Sequence, residues 1–346
     1  MLSGIKRFFK ERKEDAQDYL GGGKVAKTLG VLFVIYLLVA AVLGIIWSSE
    51  PDVFPVRAEA AKTAKDMNRE LVTGFTTTST LIQMTETLLN KSGGYITNDI
   101  MPPGLWMDNM PHWEYGVLVQ VRDMARAMRK DMSRSQSQSS EDPDLTVAEP
   151  QLHFDNGSWV LPSTESEYRR GVAALRRYLD RLSNPQQPQA QFYARADNLN
   201  NWLGDLETRL GSLSRKLSES VGKQTVGESG DEMVSDPKDK SYESVQTPWT
   251  EIDDVFYEAR GTAWALLHIF RAIEVDFREV LIDKNALVSV RQIIVELEGS
   301  QEPMWSPVIL NGSGFGFLAN HSLTMASYLA RANSAVVDLR KLLDQG

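Results

Sequence analysis

The chain has no cysteine among its 346 residues. That excludes disulfide staples and thiolate metal sites, and it excludes a lipid-anchored lipoprotein, whose acyl chains need a cysteine. Histidine is scarce: His112, His153, His268 and His321 are the whole supply. None falls in an HExxH pair or another zinc spacing, and His268 has Trp264, Leu267 and Arg271, not ligands, at helical spacing. No G-x-S-x-G elbow occurs; Ser313 stands among Gly312, Gly314 and Gly316 with no strand before it and no base placed by the sequence. Gly23-Lys24 fails as a phosphate loop, because Asp18 occupies the first glycine position and Val25 replaces the serine or threonine. Alternation of strand and helix patterns is also lacking, which argues against a parallel sheet.

Charge is lacking in one stretch, and that stretch organises the rest. Leu29 to Trp47 (LGVLFVIYLLVAAVLGIIW) holds nineteen residues without a charge or a polar stripe. As a helix it would rise ~29 Å, about the thickness of a bilayer's hydrocarbon core. Trp47 stands at its far end, where interfacial indoles are favoured. The flanks predict orientation: residues 1–28 carry seven basic and four acidic groups, and Glu50 and Asp52 begin the other side. Basic flanks stay cytoplasmic, so the expectation is a single-pass protein of a bacterial inner membrane, N-terminus inside and about 300 residues in the periplasm. Ala58-Glu59-Ala60 has the form of a cleavage site but lies eleven residues beyond Trp47, so an uncleaved signal anchor is expected. Of 37 basic and 46 acidic residues, subtracting those of residues 1–28 leaves a net charge of −12 outside. Such a domain repels nucleic acid and anionic lipid, so neither is an expected partner.

Beyond the anchor the pattern is helical. Ala60, Ala64, Met67, Leu71, Gly74, Thr78, Leu81, Thr85 and Leu88 form one seam of alternating fours and threes, and Gly93-Gly94 ends it. A loop at 95–112 precedes helical spacing from Trp113. Residues 133–150 are polar and proline-containing and read as a flexible excursion, as do residues 222–247. Asn156-Gly157 between two short apolar runs predicts one small β-hairpin, the only strands expected. Thr164 and Glu167 read as a capping box opening a helix to about Leu182. The cleanest seam is Phe192, Ala196, Leu199, Leu203, Leu206, Leu210, Leu213 and Leu217. Further helices are expected after Thr247-Pro248, after a cap at Asp283, and along Met325 to Leu343. The fold class is therefore mainly α: a cytoplasmic basic arm (1–28), a single N-terminal transmembrane helix (29–48), and a periplasmic domain (49–346). That domain is an elongated antiparallel helical bundle with one small β-hairpin.

Several blocks resemble a known family. SGGYITNDIMPPGLWMDNMPHWEYG (Ser92 to Gly116), WVLPSTESEY (Trp159 to Tyr168), FYARADNLNNWLGDLETRLGSL (Phe192 to Leu213), DDVFYEARGTAW (Asp253 to Trp264) and MWSPVILNGSGFGFLANHS (Met304 to Ser322) are similar to the bacterial family catalogued as domain of unknown function 2333. The resemblance implies a proteobacterial inner-membrane protein. It implies no activity and carries over no functional residues.

Asp253, Asp254 and Glu258 sit at the start of a helix, where acids offset the helix dipole. No catalytic, cofactor-binding or metal-ligating residue is assigned, and no cofactor is expected. Two loops are unusually aromatic. Residues 102–115 include Trp106, Met110, His112 and Trp113; residues 303–317 include Trp305, Asn311 and Phe315. Either they fold over bundle ends and bury their rings, or they form a joint partner-binding surface. The first functional expectation is a non-catalytic interaction or scaffold component of the cell envelope. Its partners would be the inner-membrane bilayer and an envelope protein, with a homo-oligomer left open. The alternative is an envelope-polymer hydrolase using carboxylates from separate helices. A ligand sensor lacks its second span and output domain, and an efflux adaptor lacks its β-domain.

Overall fold

A computed structural model describes residues 22–134, 140–186, 190–221, 223–226, 242–306, 308–313 and 317–345. The uncharged stretch lies within helix α1, Gly22–Trp47. Among the described residues, Val25–Trp47 is the one helix long and apolar enough to cross a membrane. Most of α1 is exposed, but one stripe is not: Ala40 is buried, and Leu37, Leu43, Gly44 and Trp47 are half-buried. Pro51 and Pro55 end the run, and Pro55 immediately precedes α2, Val56–Asp66.

The seam expected as one helix from Ala60 to Leu88 is two helices, α2 and α3 (Phe75–Asn90). Asn68 and Gly74 adopt left-handed backbone, φ 52° and 88°. Gly74 must be glycine, because a Cβ there would lie 2.2 Å from the Phe192 ring. The remaining α-helices are α4 (Asn109–Ala127), α5 (Leu145–Leu152), α6 (Thr164–Leu182), α7 (Ala196–Ser218), α8 (Ile252–Asp276), α9 (Arg278–Asp283), α10 (Leu287–Gly299) and α11 (His321–Asp344). The chain is mainly helical, with eleven α-helices among the described residues.

The β-hairpin expected at Asn156-Gly157 does not form. Its first arm, Leu152, is the last residue of α5 and is buried. Side chains take the backbone groups a ladder would need. Arg122 donates to the carbonyls of Leu152 and Phe154, and Thr164 Oγ1 donates to those of Asp155 and Ser158. The Asp155 carboxylate accepts from Gly157 N, so this Asn-Gly turn is closed by a side chain. Among the described residues the paired strands are instead β1 (Lys223–Val226) and β2 (Tyr242–Val245), antiparallel, at the two ends of the second polar stretch. The first polar stretch, 133–150, includes the start of α5, with Leu145 and Ala148 buried. At α6 the N-cap is Ser163, whose Oγ accepts from Ser166 N, and Thr164 is the first helical residue. Asp283 ends α9 rather than capping α10.

Antiparallel pairs build the core. In α7 and α11, Gly204 lies by Arg340, Gly211 by Asn333, and Ser214 Oγ donates to Ala326 O. The leucines of the α7 seam, from Leu199 to Leu217, are buried, as are Met325, Leu329, Ala332, Val336, Leu339 and Leu343 of α11. Each such leucine contributes about 1.5–3 kcal/mol by leaving water. Arg271–Glu298 and Glu274–Arg291 ion pairs lace α8 antiparallel to α10. The tightest crossing joins α4 to α8. A Cβ on Gly261 would lie 2.0 Å from Trp113 O, and one on Gly116 2.2 Å from Glu258 O. Two glycines thus let the helix backbones touch.

Candidate functional site

The segment after α1 is held to α8 by three side chains spaced one helical turn apart. Arg260 donates through Nε and Nη2 to both oxygens of Glu50, at 2.8–2.9 Å. Its Nη1 donates to the carbonyls of Ser300 and Glu302. This guanidinium therefore joins the apolar helix's exit to the end of α10. One turn on, Trp264 Nε1 donates to Asp52 O. A further turn on, His268 Nε2 accepts from Phe54 N at 3.0 Å, and its Nδ1 lies 2.7 Å from Trp264 O. The Phe54 ring stacks on the imidazole, centroids 3.9 Å apart. Burial pulls the His268 pKa down to about 3, so the ring is neutral and its Nε2 free to accept.

Two aromatic segments flank this junction. The first follows Gly93, which packs under the Trp47 ring. Its neck is held by the buried carboxylate of Glu114, which accepts from the amides of Ile96 and Thr97 at 2.9 Å each. Lys91 Nζ pairs with that carboxylate at 2.7 Å, and both side chains are buried. The tip then runs along α1. Pro103 lies against Gly44, and Tyr36 Oη donates to Pro102 O at 3.4 Å. Trp106 is exposed. Met110 and Trp113 sit on α4 and are buried, Trp113 against Trp264 at 5.3 Å. His112 Nε2 is 3.2 Å from Asp254 Oδ1; burial raises the Asp254 pKa against the pull of His112.

The second segment leaves α10 at Ser300. Trp305 is 96% exposed, at the rim of a cavity of about 430 Å³ lined by Phe256, Arg260, Met304, His321 and Tyr328. The segment is pinned where it returns. Asn311 bridges Asn320, Gly312 N donates to Ala319 O, and Asn320 Nδ2 donates to Asn311 Oδ1 and Gly312 O. Asn311 also donates to Ser220 O in the turn just after α7, so its amide is a structural tie. Leu310 N donates to His321 Nδ1, and burial lowers the His321 pKa, leaving it an acceptor. Phe315 lies outside the described residues. Among those described, no hydrogen bond, ion pair or ring contact joins 102–115 to 303–313.

Of the seven singled-out residues, Trp106 and Trp305 are thus solvent-facing, Met110 and Trp113 belong to the core, and His112 and Asn311 are half-buried with partners. Sequence reasoning missed the Arg260 clamp and the His268 acceptor. Arg260 offered a signal: it is a lone cation within the apolar face of α8 and so demands a buried partner. Among the described residues, no three His, Asp or Glu side chains gather as a metal site would require.

The family described as an uncharacterized protein conserved in bacteria, DUF2333, matches residues 22–346. The chain belongs to DUF2333. The resemblance noted in the sequence is thereby borne out over essentially the whole chain, from α1 through α11. No curated protein and no solved structure matches this DUF2333 chain.

Proposed function

We propose that this DUF2333 protein is a non-catalytic scaffold of the bacterial envelope. It is anchored in the inner membrane by α1, N-terminus inside, and holds an envelope protein in the periplasm at the bundle end nearest the anchor. The observation that carries this reading is the junction itself. Arg260 ties the exit of α1, the end of α10 and the rim of the Trp305 cavity into one unit. An exposed indole beside an apolar cavity is the composition of an interface anchor. Rigid attachment to the anchor would hold a partner at a set height above the bilayer.

The test is in-cell crosslinking from a photoreactive residue at Trp305, with Val288, exposed at the start of α10, as the control. The expected result is one envelope protein captured from 305 and not from 288. Its co-purification should then be lost in Trp305→Asp with helix content unchanged. Equal capture from both positions, or co-purification that survives Trp305→Asp, rejects the reading.

A further inference from the structure

The aromatic tip that runs along α1 has the properties of a membrane-immersed element. Residues 100–107 (IMPPGLWM) carry no charge, and Asp99 and Asp108 bracket them. Ile100, Met101, Leu105 and Trp106 are 50–66% exposed, so this apolar surface has no cover from the protein. The tip touches α1 at Gly44, through Pro103, and at Tyr36, through Pro102, while Trp47 at the end of α1 packs on Gly93 before the tip. Tyr36 precedes Trp47 by eleven residues, ~16 Å of helical rise. That is about half of the ~30 Å hydrocarbon core. Whatever solvates this half of α1 therefore also solvates the tip.

We infer that residues 100–107 are immersed in the leaflet on the Trp47 side of the membrane, as a lipid-contacting wedge beside the transmembrane helix. This rests on the anchor reading of α1 above. Irregular backbone in hydrocarbon is costly unless its polar groups are satisfied internally. This tip largely meets that condition. Pro102 and Pro103 have no N–H to satisfy. Leu105 N donates to Met101 O, Trp106 N to Pro103 O and Met107 N to Gly104 O. The Pro102 carbonyl is taken by Tyr36 Oη. A protein partner is disfavoured by position, since it would have to lie against α1 at bilayer depth. The second aromatic segment lacks these features: Glu302 adjoins it, Ser306 lies within it, and among its described residues no hydrogen bond or ring contact reaches α1.

Because the chain has no cysteine, single labels are straightforward. The full-length chain carrying Leu105→Cys, Met101→Cys, Val39→Cys or Val288→Cys, each with a nitroxide, is reconstituted in phosphatidylethanolamine–phosphatidylglycerol vesicles. Accessibility to oxygen and to a water-soluble nickel chelate is then measured. Val39, exposed on α1, reports the bilayer; Val288 lies at the far end of α8 and α10 and reports water. The expected oxygen-to-nickel ratio at 105 and 101 is close to that at 39 and severalfold above that at 288. A ratio at 105 and 101 equal to that at 288, with 39 in lipid, overturns the wedge and leaves the anchor standing. Labels at 105 and 101 shielded from both reagents overturn it in favour of a protein cover. A water-like ratio at 39 overturns the anchor and the wedge together.

Discussion

Trp113 and Trp305 occupy two segments of similar composition and meet opposite fates. Trp113 is buried; Trp305 stands almost wholly in solvent. Both segments are aromatic, methionine-containing and interrupted by proline. What separates them is the backbone. Trp113 lies on α4, whose inward face is set by the close glycine crossing with α8, so its ring must enter the core against Trp264. Trp305 lies in an irregular segment whose described residues are held by Arg260 on the carbonyls of 300 and 302, by Met304 and Ile309 against the core, and by the Asn311–Asn320 bridge, none of which turns the Trp305 ring inward. Aromatic density marks both segments equally. Only a helix face with a neighbour decides which rings leave water.

The sharpest way to break this contrast is at the crossing itself. Gly261→Val places methyl groups where Trp113 O already stands, so a loss above ~4 kcal/mol, or failure to fold, is expected in thermal unfolding followed by circular dichroism. A melt within a few degrees of wild type would show that the crossing is loose. Trp113→Ala comes next, at ~3–5 kcal/mol, the usual cost of deleting a core indole.

Two positions on α8 offer a second contrast, readable by pH. His268, near the α1 junction, has its folded pKa lowered to about 3 from 6.5. A depressed histidine stabilises the fold fully above 6.5, and that contribution is lost as pH falls toward 3. Asp276, the last residue of α8, accepts from Thr77 N and Oγ1, and burial raises its pKa from 3.8 to about 6. The folded state then binds the proton more tightly, so this group's contribution improves as pH falls from about 6 to 3.8. Measured between pH 7 and 4, His268→Asn should therefore flatten the acid-side loss of stability, and Asp276→Asn should steepen it. Parallel slopes in the two variants would refute the assignment. The smallest effect belongs to Trp305→Ala, within ~0.5 kcal/mol, as for a surface site without partners; a loss comparable to that of Trp113→Ala would place its ring in the core.

Much of this was legible in residue order. The uncharged run of α1 and the leucine seam of α7 are local periodicities, and local periodicity is what a helix reads. The hairpin misreading has an equally local origin. Asn-Gly between apolar runs is a strong signal until Arg122, more than thirty residues earlier, claims the carbonyls the ladder would need. The break at Gly74 likewise depends on Phe192, over a hundred residues away. For the aromatic site, composition flagged both segments but could not sort core from surface.

By itself the order of residues determined an apolar helix near one end, a mainly helical body, and membership in its family, because each depends on short-range pattern or wording. Tertiary structure alone decided which rings are buried, that Arg260 closes on Glu50 across 210 residues, and that the tip at 100–107 lies along α1. Those contacts join segments far apart in the chain, and no local periodicity encodes which distant partner a side chain will meet.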